Sequence, residues 1–387
     1  MKKRFLSYIQ SNLQVKKLYI ISSLFLIIFF ISHLSYSQSD LSYRYYFNEF
    51  NADSTNQNKL HFRLENNNFF KNNEYFSPLF DGYTLLGYNI APMLVYYVDS
   101  RFRLQAGFNL LQYHGLNTKA EIKPVVSAYL RLFPNFDLIM GNLRGNVHHK
   151  MIEPMFDPEL QFTQPTETGF QFLYNVNRFS ADIWLDWEQF ILQEDSIPEM
   201  FTAGISSNAI LLDFENGWKL NFPVQFIAKH IGGQIGNRAV PVQTHTNIAA
   251  GVDISKQISG FFENFGFFGY YLLYNETTSS NFIGIRNGNA VYAGTNINMK
   301  NCLFMLGYWG AENFYAPKGC PIFQSVSHPK HDNIIKEKNL FTGKIAFHRQ
   351  FKSYLKFSLA VETYYDLNDR RLDHSSTMNI LFTPYFY

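Results

Sequence analysis

The run Arg101–Leu110, RFRLQAGFNL, alternates without a break: Phe102, Leu104, Ala106, Phe108 and Leu110 fall on one side, and Arg101, Arg103, Gln105, Gly107 and Asn109 on the other. Successive side chains of an extended chain point to opposite faces, so this is a strand with one apolar and one wet face. The device recurs. From Trp218 onward, Trp218, Leu220, Phe222, Val224, Phe226 and Ala228 oppose Lys219, Asn221, Gln225 and Lys229. Between Phe351 and Tyr365, Leu355, Phe357, Leu359 and Val361 oppose Lys356, Ser358, Ala360 and Glu362. Each run is long enough to cross hydrocarbon, for which a tilted strand needs about 9–11 residues.

Working outward, the same period predicts strands at 60–69, 83–97, 101–113, 120–132, 136–146, 167–175, 178–191 and 201–212. It continues at 217–230, 242–255, 266–276, 288–299, 301–313, 340–350, 353–365 and 375–387. Even-numbered strands end in sharp turns: Asp99-Ser100, Pro134-Asn135, Val176-Asn177, Glu215-Asn216, Lys300 and Lys352, with a longer link at Ser259-Gly260 the exception. Odd-numbered strands lead mostly into long links: 70–82, 147–166, 192–200, 231–241, 277–287, 314–339 and 366–374. A β-sandwich also has half-wet strands but no reason to sort its connections by length. Short turns at one end and long loops at the other are the build of an outer-membrane barrel. The expected fold is therefore all-β, a transmembrane antiparallel β-barrel of about 16 strands, within a range of roughly 14–18, with short periplasmic turns and long outer loops. Closure follows from the solvent, because an unpaired backbone group in hydrocarbon costs several kcal/mol.

Composition agrees. Of 387 residues, 18% are aromatic, with 40 Phe and 25 Tyr, while mean hydropathy is only −0.17. An apolar, aromatic-girdled exterior and a polar lumen average to such a value. Lys2, Lys3, Arg4, Lys16 and Lys17 precede an apolar run from Leu18 to Leu34, and Ser35-Tyr36-Ser37 supplies small residues for cleavage before Gln38. Residues 1–37 thus read as a cleaved signal peptide and 38–387 as a single barrel domain of the outer membrane. Cleavage removes five of the 33 basic residues and none of the 31 acidic ones, so the mature chain carries −3. That leaves no basic excess for nucleic acid.

The last strand alternates Met378, Ile380, Phe382 and Phe386 and ends on Tyr387. It resembles the C-terminal signature of outer-membrane barrels, which implies recognition by the barrel-insertion machinery. Together with the signal ending on Ser-Gln, the Asn66–Tyr75 segment and the His148–Asp157 loop, the chain resembles porin-like outer-membrane barrel proteins of the Bacteroidota. That resemblance implies no particular solute.

The inward rows supply Arg101, Arg103, Glu121, Lys123, Arg131, Lys219, Lys229, Lys356 and Glu362, each of which also fits a plain solvated wall. A barrel of this width leaves an aqueous channel unless plugged. The densest functional segment, Arg144–Glu159, leads into the third long loop, the ordinal position at which general porins fold a loop inward. If it enters, Arg144, His148, His149, Lys150, Glu153 and Asp157 set opposite charges across the constriction. His148, His149 and Glu153 are suitable metal ligands, yet adjacent histidines on an extended chain point apart. No cofactor is expected. The segment Asn66–Phe76, NNNFFKNNEYF, reads as an amide- and ring-rich first outer loop, sugar-binding or simply interfacial. Cys302 and Cys320 fall at opposite ends of the barrel, too far apart for a disulfide unless the loop at 314–339 dips inward.

The leading functional expectation is passive or weakly selective diffusion of small polar solutes, with outer-membrane lipid around the barrel and a homo-oligomer compatible with it. The second is a binding or assembly component, an adhesin or a partner in a secretion or uptake complex. The third is a lipid-modifying enzyme using His348 with Ser353, or His374 with Ser375 and Ser376. These pairs lack a Gly-framed nucleophile and a visible third member, so no enzymatic activity is expected.

Overall fold

In the computed structural model the described residues are 56–117, 119–233, 241–278, 282–327 and 333–386. The signal segment 1–37 and the terminal Tyr387 lie outside them. The strands are β1 (Lys59–Glu74), β2 (Tyr83–Tyr97), β3 (Phe102–Tyr113), β4 (Glu121–Phe133), β5 (Phe136–Asn142) and β6 (Thr168–Val176). Then follow β7 (Phe179–Gln189), β8 (Glu199–Asp213), β9 (Trp218–Gly232), β10 (Gln243–Gln257), β11 (Phe262–Glu276) and β12 (Asn287–Met299). The chain ends with β13 (Cys302–Glu312), β14 (Glu337–Lys352), β15 (Leu355–Asp366), β16 (Arg371–Phe382) and the two-residue β17 (Tyr385–Phe386).

Every neighbour pairs antiparallel, and β1 pairs with β2 on one side and with β16 and β17 on the other, so the sheet closes. β17 continues the stave of β16 past Thr383-Pro384, where proline has no N–H for the ladder. The wall is therefore a closed barrel of sixteen staves, the expected architecture. Burial is inverted as lipid requires. Leu306 is 65% exposed on the outer side, whereas Lys344 on the inner side is 3% exposed.

The short turns hold at one end, and the link between β10 and β11 is also short, residues 258–261, which corrects the exception expected there. Three strand ends also differ. β1 runs to Glu74 and β16 starts at Arg371, so most of the segments read as loops at 66–76 and 366–374 belong to the wall. β5 stops at Asn142 because Gly141, at φ 96, turns the chain off the wall. A Cβ there would meet the Val126 carbonyl oxygen at 2.1 Å, so only glycine fits the turn.

Beyond that turn, residues 143–167 enter the barrel through a 3₁₀ turn at Asn146–His149 and a short helix at Leu160–Thr163. Residues 313–327 also descend and hold a 3₁₀ turn at Pro321–Phe323. Met155 and Phe156 of the first loop and Phe314, Ile322, Phe323 and Val326 of the second pack with Trp184, Ile227, Leu272, Tyr292, Trp309 and Leu340 of the wall. On the other side Phe162 stacks on Phe69 at 4.7 Å. The second loop dips inward without a disulfide, since Cys302 and Cys320 are both free thiols. The two loops form a plug.

Candidate functional site

The charges expected at a constriction divide into two groups, because the loop that carries them is itself the obstruction. Arg101, Arg131, Arg144, His148, His149 and Lys150 line a vestibule of about 1280 Å³ between the plug and the short turns. Arg131 donates to Asp137 at 2.8 Å. Arg103 lies within the wall, 5.2 Å from the Tyr129 ring centroid. Lys123 sits at the exposed outer rim, 2.7 Å from Glu121. Glu153 and Asp157 lie elsewhere, in a pocket of about 50 Å³ beside Lys71, Cys320 and Glu362. Burial, with Glu159 nearby, pushes Asp157 up to about 7.

His149 is the vestibule's most constrained group. Its Nδ1 meets Asp182 and its Nε2 meets Glu167, both at 2.8 Å, and its ring stacks on Trp184 at 3.6 Å. Burial lowers its pKa, but Glu167 and Asp182 more than offset that and hold it at about 9. Burial, reinforced by Arg144, drives the adjacent His148 the other way, well below the ordinary histidine value. Among the described residues no three His, Cys, Asp or Glu side chains are grouped to hold a metal ion. The His148, His149 and Glu153 set is not brought together: both His149 nitrogens go to carboxylates, and Glu153 pairs with Lys344.

A third region lies on the outside of the wall, at the seam where the barrel closes. β16 points His374 and Ser376 outward, while Asp373 and Ser375 are buried inside. β1 likewise points Asn72 and Glu74 outward. The register sets Glu74 directly opposite His374 and Asn72 directly opposite Ser376. Directly opposite residues have Cβ atoms about 5 Å apart, and neighbours on one face of a strand are roughly 7 Å apart along it. An acid, an imidazole and a hydroxyl thus share one patch. Asn72 donates to Glu74 at 3.0 Å and accepts from Thr84 at 2.6 Å, which fixes the carboxylate.

The position of the patch matters as much as its content. His374 and Ser376 lie three and five residues below the start of β16, with outward-facing Leu372 above them. Outward-facing Phe70, Leu86, Met378 and Ile380 continue below them. A lipid-facing row should be apolar, yet β1 turns Asn66, Asn68, Asn72 and Glu74 outward. The other pair considered, His348 with Ser353, does not reach lipid chemistry: His348 faces inward near the short turns, and Ser353 lies in one of those turns.

Sequence reasoning had His374 and Ser376 in view but missed Glu74. The available signals were a His-x-Ser triplet on an alternating strand and an acid ending an Asn-rich first strand. Only closure of the barrel makes them neighbours, across some 300 residues of chain.

A family model described as lipid A 3′-O-deacylase-type matches residues 52–387. The expectation that the chain has no enzymatic activity is overturned by this match. No curated protein matches the sequence. Among solved structures, two of the outer membrane protein OprD from Pseudomonas aeruginosa are similar. One has a TM-score of 0.51 at 9% identity, covering 86% of this chain and 96% of that one. The other has a TM-score of 0.50 at 7% identity, covering 84% and 94%. OccAB2 of Acinetobacter baumannii follows with a TM-score of 0.49 at 10% identity, covering 87% and 100%. At these identities the OprD likeness is one of fold, an outer-membrane β-barrel.

Proposed function

The chain belongs to the lipid A 3′-O-deacylase-type family, and from that premise we propose that it hydrolyses an O-linked acyl ester of a lipid A-type glycolipid in the outer leaflet. The observation that carries the reading is the seam patch, where Glu74, His374 and Ser376 share one lipid-facing surface. Lipid ester carbonyls lie at the boundary between headgroup and hydrocarbon, and the patch lies in the outer half of β16, near the end with the long loops.

In this reading Ser376 Oγ attacks the acyl carbonyl carbon while His374 takes its proton. Glu74, held by Asn72, orients the imidazole and stabilises its charged form. Collapse of the tetrahedral intermediate breaks the bond to the sugar oxygen, which leaves as an alcohol with the proton from His374. Water, deprotonated by the same histidine, then cleaves the acyl-serine and releases the fatty acid. Outward Phe70, Leu86 and Met378 supply an apolar bed for the chain being cut. Such sets often close into hydrogen bonds only once substrate binds.

The test is fatty-acid release from lipid A-containing vesicles, measured by mass spectrometry on the reconstituted barrel. Ser376→Ala and His374→Ala should each lower the rate by roughly 10³-fold or more. Release at the wild-type rate from a folded Ser376→Ala barrel would end the reading.

The vestibule favours a second reading, a solute channel whose plug must withdraw before it conducts. Planar bilayers decide it: ohmic steps at low voltage would support conduction, and a silent bilayer would remove it. Export by cleavage before Gln38 and insertion through the C-terminal strand belong to either reading.

A further inference from the structure

We infer that the vestibule below the plug is a binding site for a small anionic carbohydrate, a sugar phosphate or sugar acid, held by Arg144 and Lys150 of the inserted loop. The inference stands apart from the deacylase reading, because it needs neither the seam patch nor passage through the plug.

The chamber carries an excess of positive charge. Arg101, Arg131, Arg144, Lys150 and Lys219 line it, against the carboxylates Asp137, Asp182 and Asp253. Two of those carboxylates are engaged within the structure. Asp137 accepts from Arg131 at 2.8 Å. Asp182 accepts from the Gln171 amide at 2.9 Å and meets His149 at 2.8 Å. His149, held at about 9, adds a further charge at neutral pH. The neighbouring His148 registers the sign of the field: burial lowers its pKa most, and Arg144, His149, Arg63 and Lys150 each push it further down. A cleft of one sign between low-dielectric walls raises the local concentration of ions of the other.

The two loop cations are fixed in advance by the wall. Gln171 of β6 is fully buried. Its side-chain oxygen accepts from the Arg144 N–H at 2.8 Å, and its amide donates to the Arg144 carbonyl at 3.0 Å. Gln225 of β9, also buried, repeats the device. It accepts from the Ile152 N–H at 3.1 Å and donates to the Lys150 carbonyl at 3.3 Å. Two glutamines thus clamp the loop backbone at the two points where its cations line the chamber. Lys150 is further held at φ 55, a left-handed conformation that a non-glycine residue adopts at some cost. It stays exposed although the loop that carries it lies inside the bore. Charges ordered before the ligand arrives lose less entropy on binding.

The neutral lining selects the rest of the ligand. Asn175, Asn208, Asn221 and Asn296 contribute amides, and Ser180 and Ser206 hydroxyls. Each such group both donates and accepts, as a sugar hydroxyl does. Sites for apolar ligands are lined mainly by hydrophobic and aromatic side chains, and this chamber is not. Its volume of about 1280 Å³ leaves room for a hydrated mono- or disaccharide.

The experiment titrates the barrel in detergent micelles, by calorimetry, with glucose 6-phosphate, gluconate, glucose and inorganic phosphate in turn. At least one anionic sugar should bind with Kd below about 1 mM, and glucose should bind at least about 10-fold more weakly. Binding of glucose 6-phosphate alone would identify the anion as phosphate, and binding of gluconate alone as carboxylate. Lys150→Gln and Arg144→Gln, each confirmed as folded by heat-modifiable gel migration, should weaken binding by about 10-fold or more. A readout in the wild-type barrel stands if a variant fails to fold. Saturating ligand should raise the titration midpoint of His148, followed by NMR and assigned by its loss in His148→Gln, because a nearby anion favours the imidazolium. Absence of binding by both anionic sugars would overturn the inference, as would glucose bound equally well. Inorganic phosphate bound as tightly as the sugar phosphate would remove the carbohydrate assignment. Unchanged affinity in both folded variants, or a His148 midpoint that ligand does not move, would also refute it.

Discussion

Raising the pH should loosen the plug through one residue, His149. The imidazole is buried between Glu167 and Asp182, with Trp184 stacked on one face and Phe156 edge-on at 5.7 Å. Burial opposes its charge, and Lys318 competes for Glu167. The carboxylates prevail and hold His149 at about 9, against 6.5 for the free group. A raised histidine value contributes stability that is complete below the free value and is lost as pH rises through the bound one. The difference corresponds to roughly 3 kcal/mol, or a few hundredfold in the equilibrium for withdrawing the loop. Below pH 6.5 the tether should be at full strength, and by pH 9.5 most of it should be gone. Histidine-selective NMR of the barrel in detergent micelles reads this directly, with the resonance assigned by its loss in His149→Gln. Protease nicking of the loop should rise over the same interval. A midpoint at or below 6.5, or nicking that does not depend on pH, would refute the reasoning.

Other outcomes follow from the same geometry. Glu74→Gln should lower acyl release by about 10- to 100-fold, less than Ser376→Ala, because an orienting group is lost and the nucleophile is kept; vesicle assays compare the two. Trp309, fully buried where wall meets plug, packs on Phe314 and Phe323 at 5.2 Å. Trp309→Ala should cost about 3–5 kcal/mol of plug docking, seen as new conductance events in planar bilayers. Intact-mass measurement of the membrane-extracted protein should place its N-terminus at Gln38; a retained apolar leader would contradict the cleavage expected there.

Alternation in runs such as Arg101–Leu110 was enough to read the wall, because lipid on one side and polar groups on the other impose a period of two. The same rule hid the site. Glu74 and His374 fall in segments taken for loops, Asn66–Phe76 and 366–374, because polar residues there break the apolar row. On the proposed reading they break it for a reason: a surface that does chemistry on lipid must place polar groups where lipid contact alone would forbid them. Local rules of patterning fail at functional sites. The plug was half legible. Its loop could be suspected from the crowding of charge in Arg144–Glu159, but not the destination of each charge. Glu153 reaches Lys344 on β14, nearly two hundred residues away, and no local pattern carries that pairing. For the outward Asn66 and Asn68, which bond each other at 2.6 Å below the patch, we have no physical account.

An enzyme that works on its outer surface has no use for a wide bore, and sixteen staves would leave one open. An empty bore would also leave the wall unsupported at the closing seam, whose final stave is interrupted at Pro384. Filling the bore with residues 143–167 and 313–327 answers both problems at once. The apolar half of the plug packs against strands β7 to β15, while its acidic half meets Lys344 and Asn73 behind the seam. The expense of burying those ions is easier to understand for a brace than for a passage, since a passage gains nothing from salt bridges that must break before anything moves. A fold shared with channels and the proposed lipid hydrolysis are then compatible: on that reading the chemistry sits outside, and the filled interior braces the wall.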